Sequence, residues 1–344
     1  MRVAVIGASG YTGMELLRII QRHPHLELAA VTSEQRAGQV VGEAFPAMRG
    51  LIDLEFEALD GADLAKRAEA AFVCLPHATA APVVEALRAG GVTVVDISAD
   101  FRFRDRDVYE AWYGPHKAAD LFGKAVYGMP EVYRDALVGA ELIAAPGCYP
   151  TSALLPMLPF LRARVVAPGT IFVDGKSGAS GAGRAAGEAF QLTELDGNAY
   201  AYKVAAHRHG PEMEQEASAG AGRPVQVTFV PHILPTIRGI ISTCYMNAEP
   251  GLTTAAAREI LVAAYADAPF VRVLPEGETP KLAHVRGSNF CDVGVVVDEH
   301  AGSLIALGAI DNLVKGAVGQ GVQCLNVAQG WSETAGLEEA PFSP

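Results

Sequence analysis

Short apolar runs alternate with stretches of helical spacing through the first 145 residues. Met1-Arg2-Val3-Ala4-Val5-Ile6 reads as a buried strand, and residues 14–20 carry a helical apolar stripe. Further strand-like runs lie at 26–31, 70–75, 92–97 and 142–145. Strand and helix in turn predict a parallel sheet covered on both faces. The pattern changes after residue 165. Longer strands are predicted at 170–174, 225–230, 240–246, 293–297 and 304–309, with a helix over 255–266, which reads as an α+β unit around a mostly antiparallel sheet. Residues 312–328 read as a helix interrupted by glycines that returns to the first domain. The predicted division is therefore 1–147 with 312–344, a Rossmann-type nucleotide-binding domain, and 148–311, the α+β domain. Only the tail after about Trp331 reads as weakly ordered.

Composition narrows the classes. The chain has 344 residues, half of them hydrophobic, with a net charge of −12, which argues against nucleic acid or an anionic membrane as partner. No apolar run is long enough to span a bilayer. The five cysteines, Cys74, Cys148, Cys244, Cys291 and Cys324, are widely spaced and form no CxxC pair. That suggests neither disulfides nor a zinc site and fits a reducing cytoplasm, as does a start that enters a strand without a signal peptide.

Candidate chemistry centres on Ala144-Ala145-Pro146-Gly147-Cys148-Tyr149-Pro150-Thr151-Ser152. Pro150 suits the first helical position, which puts Cys148 at a helix N-terminus, where unpaired N–H groups favour a thiolate. A buried structural cysteine is the plain alternative. Gly7-Ala8-Ser9-Gly10-Tyr11-Thr12-Gly13 stands between strand and helix, where backbone amides can approach a pyrophosphate. After the second strand come Thr32, Ser33 and Arg36, groups suited to a 2′-phosphate and hence to NADP; Glu34 in the same loop could serve NAD instead. Leu75, Pro76 and His77 follow a strand end and can line a cofactor crevice. Arg102 follows another and is a candidate clamp for an anionic substrate, or simply a partner of Asp100. Residues 175–184, with Ser177, Gly178, Ser180 and Arg184, read as a flexible cationic loop. His207-Arg208-His209 precedes Glu212, giving a general acid/base with an orienting carboxylate; no ligand set for a metal is completed.

These motifs, together with Ser98-Ala99-Asp100-Phe101-Arg102, Pro231-His232, Arg238-Gly239, Gly287-Ser288-Asn289 and Asp311-Asn312-Leu313, run from residue 7 to about 326. In combination they resemble the N-acetyl-gamma-glutamyl-phosphate reductase family. The resemblance implies the two-domain fold of glyceraldehyde-3-phosphate and aspartate-semialdehyde dehydrogenases. It implies NADPH-dependent reduction of N-acetyl-5-glutamyl phosphate in arginine biosynthesis, with Cys148 as nucleophile and the acid/base drawn from His207-Arg208-His209. His209 is favoured because Glu212 lies one helical turn on. It further implies cofactor contacts from Gly7, Ser9, Gly10, Tyr11, Thr12, Gly13, Thr32, Ser33, Arg36, Leu75, Pro76, His77, Ser177, Gly178 and Asn312. Substrate contacts are expected from Arg102, Ser180, Arg184, His207, Arg208 and Glu212, and a homo-oligomer from the second domain's sheet. The alternatives are a relative acting on carrier-bound aminoadipyl or glutamyl phosphate, another acyl-phosphate dehydrogenase, and a non-catalytic NADP-sensing regulator.

Overall fold

The computed structural model describes residues 1–184 and 187–342, and the chain divides into two compact units. The first comprises residues 1–146 and 317–338; the second runs from 147 to 316 and takes in the final residues from 339. Residues 312–316 therefore stay with the second unit, whereas the sequence pattern put the return at 312. The reason is local. The Asp311 carboxylate accepts from Arg238 Nε, Gly287 N, Leu313 N and Val314 N, and Asn312 Oδ1 accepts from Gly239 N, which ties this stretch to its own sheet.

The first unit contains β1 (Arg2–Ile6), α1 (Tyr11–Ile20), β2 (Glu27–Thr32), α2 (Val41–Ala44), β3 (Phe56–Glu57), α3 (Gly61–Arg67), β4 (Ala70–Val73), α4 (Ala81–Ala89), β5 (Thr93–Asp96), α5 (Arg106–Tyr113), β6 (Val126–Tyr127), α6 (Pro130–Leu137) and β7 (Leu142–Ala144). Its seven strands pair in parallel in the order β3-β2-β1-β4-β5-β7-β6. Val3 to Ile6 and Ala70 to Val73 are wholly buried, as continuous apolar strands covered on both faces must be. The order reverses at β1 and β4, so their C-terminal ends flank the crevice where such sheets bind ligands. Residues 331–338 differ from the expectation of weak order. Ala335 and Leu337 are buried, and Asn326 Nδ2 donates to the carbonyls of Glu333 and Ala335.

The second unit contains α7 (Cys148–Arg162), β8 (Ile171–Ser177), α8 (Leu192–Leu195), β9 (Tyr200–Ala201), α9 (His209–Ala221), β10 (Val227–Ile233), β11 (Ile240–Asn247), α10 (Thr254–Ala264), β12 (Val271–Val273), β13 (Cys291–Asp298) and β14 (Ser303–Ile310). The sheet order is β12-β13-β14-β11-β8-β10-β9. Four of its pairings are antiparallel; β8 with β10 and β12 with β13 are parallel. Beyond it, a π-turn (Val314–Val318) leads to α11 (Gly319–Ala328), a wholly buried helix of the first unit. Gly321 lets that helix lie close to its sheet, since a Cβ there would stand 3.0 Å from Ile97 Cδ1. The strand β8 runs through Ser177, so residues 175–177 are sheet rather than flexible loop. Gly175 is needed there because a Cβ would meet the Tyr149 ring at 2.7 Å.

One face of the second sheet carries α7 on β11 and β14, α9 on β10 and α10 on β13. Along β11 the burial alternates, with Ile240, Ser242, Cys244 and Met246 inward and Tyr245 outward. The opposite face leaves Phe172, Tyr245 and Val296 exposed. Among the described residues no helix is long and apolar enough to cross a membrane.

Candidate active site

The helix α7 begins at Cys148 itself, with Gly147 as N-cap in extended conformation, so Pro150 stands third rather than first. The position still suits proline, whose missing N–H falls among the first-turn donors that have no helical acceptor. Thr151 N and Oγ1 both donate to Gly147 O. The helical pattern therefore leaves the amides of Cys148 and Tyr149, and none from Pro150, facing out of the first turn. No side chain caps this end and no acid lies in the first turn, so the field of the helix favours an anion at Cys148.

Two internal prolines are absorbed by neighbours of the same unit. Pro159 deprives Leu155 O of its helical donor, and the Tyr265 hydroxyl donates to that carbonyl instead. Pro156 does the same to Ser152 O, where Gly308 permits the sheet to approach: a Cβ there would lie 2.2 Å from that oxygen. Gly316 closes the other side of Cys148, since its Cβ would stand 2.9 Å from Cys148 Cβ.

Glycine at 147 is required by the histidine. A Cβ on Gly147 would lie 2.5 Å from His209 Nε2 and 3.0 Å from Glu212 Oε2. Gly147 N donates to Glu212 Oε1 at 2.8 Å, and Glu212 is fully buried. The carboxylate, one turn after His209 on α9, thus holds the residue before the nucleophile and lies beside the imidazole. The carboxylate expected among the substrate contacts is thus engaged on the Gly147 amide.

His207 and His209 have different surroundings. His207 Nδ1 accepts from His209 N at 3.1 Å, and their rings stand 4.7 Å apart. Burial, followed by the charges of Lys203 and Arg208, pushes His207 down to about 4, so it is a neutral imidazole near pH 7. It braces the start of α9, and His209 is the ring packed against Gly147. Tyr149 joins the group: its ring edges meet both imidazoles, its hydroxyl donates to His232 O, and it shares a hydrogen bond with Tyr202. Burial raises the Tyr202 hydroxyl to about 12, with the charge of Cys148 among the lesser causes.

In the first unit the glycine turn forms an anion cradle. The N-terminus of α1 has no side-chain cap and no acid in its first turn. A Cβ on Gly10 would have nothing within 4 Å, so this face is open to a ligand, whereas one on Gly13 would strike Ala8 backbone at 2.5 Å. Gly7 has φ +77° and closes on Cys74 O. Two expected contacts have partners within the chain. Thr32 is buried and its Oγ1 accepts from Gly7 N, so it supports the turn; Ser33 Oγ donates to Ser9 Oγ. Glu34, the feature that left NAD open, accepts from Leu59 N at 2.8 Å. Arg36 lies beside them, its Nη1 donating to Gln39 Oε1. Dinucleotide phosphates fit this set, with backbone amides on one side and a guanidinium on the other.

Other residues are used internally. Arg102 is 4% exposed; its Nε donates to Ala145 O at 2.7 Å and its Nη2 to Ile97 O at 2.8 Å. It braces two strand ends, while Asp100 accepts from the amides of Ala78, Ala80 and Ala81. The two Arg102 bonds engage Nε and Nη2 of the expected clamp on carbonyls of its own unit. His77 Nδ1 accepts from Ala99 N, at the end of the loop carrying Leu75 and Pro76. Asn312, expected at the cofactor, is buried with Nδ2 on Ser180 Oγ and Oδ1 on Gly239 N. Ser177 Oγ donates to Gly178 O, and Gly178 packs against Ile237 backbone. These residues shape their loop from within. Arg184 is exposed at its end, and Arg208 is exposed as N-cap of α9. The sequence reading missed Tyr202, and it marked Arg238, Gly287 and Asp311 as motif residues without showing that they bond to one another; no local pattern marks contacts made across such distances.

Two family models match, in the same order as the two units. Residues 2–140 match "Semialdehyde dehydrogenase, NAD binding domain", and residues 148–312 match "Semialdehyde dehydrogenase, dimerisation domain". The fold is shared with aspartate semialdehyde dehydrogenase II of Vibrio cholerae in complex with ASA (TM-score 0.70, 17% identity, 95% of this chain and 97% of that one). It is also shared with the Candida albicans aspartate semialdehyde dehydrogenase with NADP (TM-score 0.67, 15% identity, 95% and 97%). A much stronger likeness is to the N-acetyl-gamma-glutamyl-phosphate reductase of Geobacter sp. strain M21, 48% identical over 345 residues and covering the whole of both chains. On that likeness the chain belongs to the N-acetyl-gamma-glutamyl-phosphate reductase family.

Proposed function

We propose that this protein reduces N-acetyl-5-glutamyl phosphate to N-acetylglutamate 5-semialdehyde and phosphate, a step of arginine biosynthesis, with NADPH as reductant. The observation that carries the chemistry is Cys148 in the first turn of α7, with His209 against Gly147 and the buried Glu212 carboxylate on the Gly147 amide.

The Cys148 thiolate attacks the acyl carbonyl, the amides of Cys148 and Tyr149 hold the oxyanion, and phosphate leaves to give a thioester on the sulfur. Replacing a dianionic leaving group by a neutral thioester removes the charge that repels a reductant. NADPH, when bound, supplies the hydride that reduces the thioester. His209 donates a proton to the thiohemiacetal oxygen and takes it back as the C–S bond breaks, so that the aldehyde leaves and the sulfur returns to thiolate. Glu212 fixes the loop and lies beside that imidazole, while His207, kept neutral, holds the start of α9 in place. Gly7, Ser9, Gly10, Tyr11, Thr12 and Gly13 would hold the pyrophosphate, Ser33 and Arg36 the 2′-phosphate, and Leu75, Pro76 and His77 the nicotinamide side. Ser180, Arg184 and Arg208 are assigned to the substrate's anionic groups.

The NADP form of the C. albicans neighbour, the pinned Glu34 and the nearby Arg36 support NADP over NAD. The matched dimerisation domain and the apolar outer face bearing Phe172, Tyr245 and Val296 support pairing of two chains through that sheet. Five free thiols support a cytoplasmic location. The direct test is phosphate-dependent reduction of NADP with N-acetylglutamate semialdehyde, set against its one-carbon-longer homologue. Turnover of the shorter aldehyde supports the reading; turnover of the longer one alone, or of neither, contradicts it.

A further inference from the structure

Lys203 has no part in the chemistry assigned so far, yet the chain holds it in an uncommon backbone state. Its φ is +45°, and Ala205 follows with φ +53°, two non-glycine residues in the left-handed region within three positions. Such strain persists only where the surroundings impose it, and it gathers at binding and catalytic sites. The imposing contacts are visible. Tyr202 N donates to Pro231 O, Ala205 N to Phe229 O and Ala206 N to Lys203 O, stitching the segment to β10. Tyr202 in turn packs its ring against His207 at 5.6 Å and shares a hydrogen bond with Tyr149, the residue after the nucleophile. Lys203 is exposed, and among the described residues it pairs with no carboxylate. In a chain of net charge −12, a cation fixed in this way beside the nucleophile's neighbours needs an account.

We propose that Lys203 binds the carboxylate at the far end of the acyl phosphate and so selects an N-acylated amino-acid substrate. The assignment rests on the activity proposed above and deepens it. Distance chooses between the substrate's two anionic ends. The phosphorus is one oxygen away from the carbon that Cys148 attacks. The distal carboxyl carbon is four bonds away, about 5 Å in an extended chain. His209 is the imidazole against Gly147, and His207 is one ring further out, 4.7 Å between centroids. Lys203 directly follows Tyr202, whose ring packs against that outer imidazole at 5.6 Å. A cation one ring beyond the acid/base suits the distal carboxylate and is too far out for the leaving phosphate. The stitched backbone fixes where the lysine stem starts, and a charge-assisted hydrogen bond from its ammonium is the strong kind.

The test compares wild type, Lys203→Met and Lys203→Arg on two aldehydes: N-acetylglutamate semialdehyde and 4-acetamidobutanal, which lacks the carboxylate. The expected result is that Lys203→Met lowers kcat/KM for the carboxylated aldehyde by about 30- to 100-fold. The fall for 4-acetamidobutanal should be less than about threefold, the KM for inorganic phosphate should not move, and Lys203→Arg should recover most of the loss. An equal fall on both aldehydes, no fall on either, or a rise confined to the phosphate KM overturns the assignment. A wild-type protein inert on N-acetylglutamate semialdehyde overturns the activity itself, and the carboxylate assignment with it. Wild-type turnover with unchanged discrimination in Lys203→Met overturns the carboxylate assignment alone.

Discussion

Two helix N-termini in this chain begin from similar material and end in opposite environments. Both α1 and α7 follow a buried strand, both take glycine as N-cap, and both lack a capping side chain and a first-turn acid. At α1 the cap glycine opens onto space, with nothing within 4 Å of where its Cβ would be. At α7 the cap glycine is packed against His209 Nε2 and Glu212, and Gly316 presses on the cysteine that follows. The same electrostatic device therefore serves two purposes. An open end presents amides to an anion that comes and goes. A closed end turns the same field on Cys148 and packs an imidazole against the residue before it.

The comparison can be broken by mutation. Cys148→Ser should lower acyl phosphate reduction by roughly 10⁴-fold or more, as loss of a nucleophile does, while NADPH binding measured by fluorescence is kept. Gly147→Ala places a methyl group where His209 Nε2 now lies, and displacement of the proton donor should cost on the order of 100-fold in kcat with little change in NADPH affinity. At α1 two alanines should separate. Gly13→Ala meets Ala8 backbone and should destabilise the fold by about 1–3 kcal/mol in denaturant titration. Gly10→Ala meets no protein atom, so it should leave stability unchanged and raise the KM for NADPH, the sign that this space belongs to a ligand.

The smallest effect is on pH. His207 is held at about 4 against an ordinary 6.5. Between those values the unfolded chain takes up a proton that the folded chain refuses, so stability falls as pH drops through that window and levels off below it. Allowing for the ring's partial exposure, His207 should account for about 2 kcal/mol of the loss, and His207→Asn, which keeps an acceptor for His209 N, should flatten the curve by that amount.

Much of this was legible from local pattern. The apolar strands and the glycine turn at Gly7 to Gly13 are short-range features, and so is a cysteine placed between glycine and proline. Other features required contacts between distant segments. Nothing near Glu212 indicates that its carboxylate holds Gly147 N, 65 residues earlier. Nothing near Arg102 indicates that its guanidinium braces the carbonyls of Ala145 and Ile97. Asn312 looked like a cofactor contact because of its motif, but its amide bridges Gly239 and Ser180. A polar residue in a motif can face a ligand or tie two loops together, and sequence spacing is the same in either case. Residues 331–338 were misread for a related reason: Ala335 and Leu337 are buried, and the amide that donates to the Glu333 and Ala335 carbonyls comes from Asn326 in the preceding helix.

The central claim is that Cys148 captures the acyl group before any reduction occurs. Rapid-quench mass spectrometry of the protein mixed with N-acetyl-5-glutamyl phosphate, without NADPH, tests it most directly. The account predicts a stoichiometric N-acetylglutamyl adduct on the peptide containing Cys148, discharged as the aldehyde when NADPH is added. Steady turnover with no adduct at Cys148, or an adduct on another cysteine that NADPH consumes at the turnover rate, would contradict it.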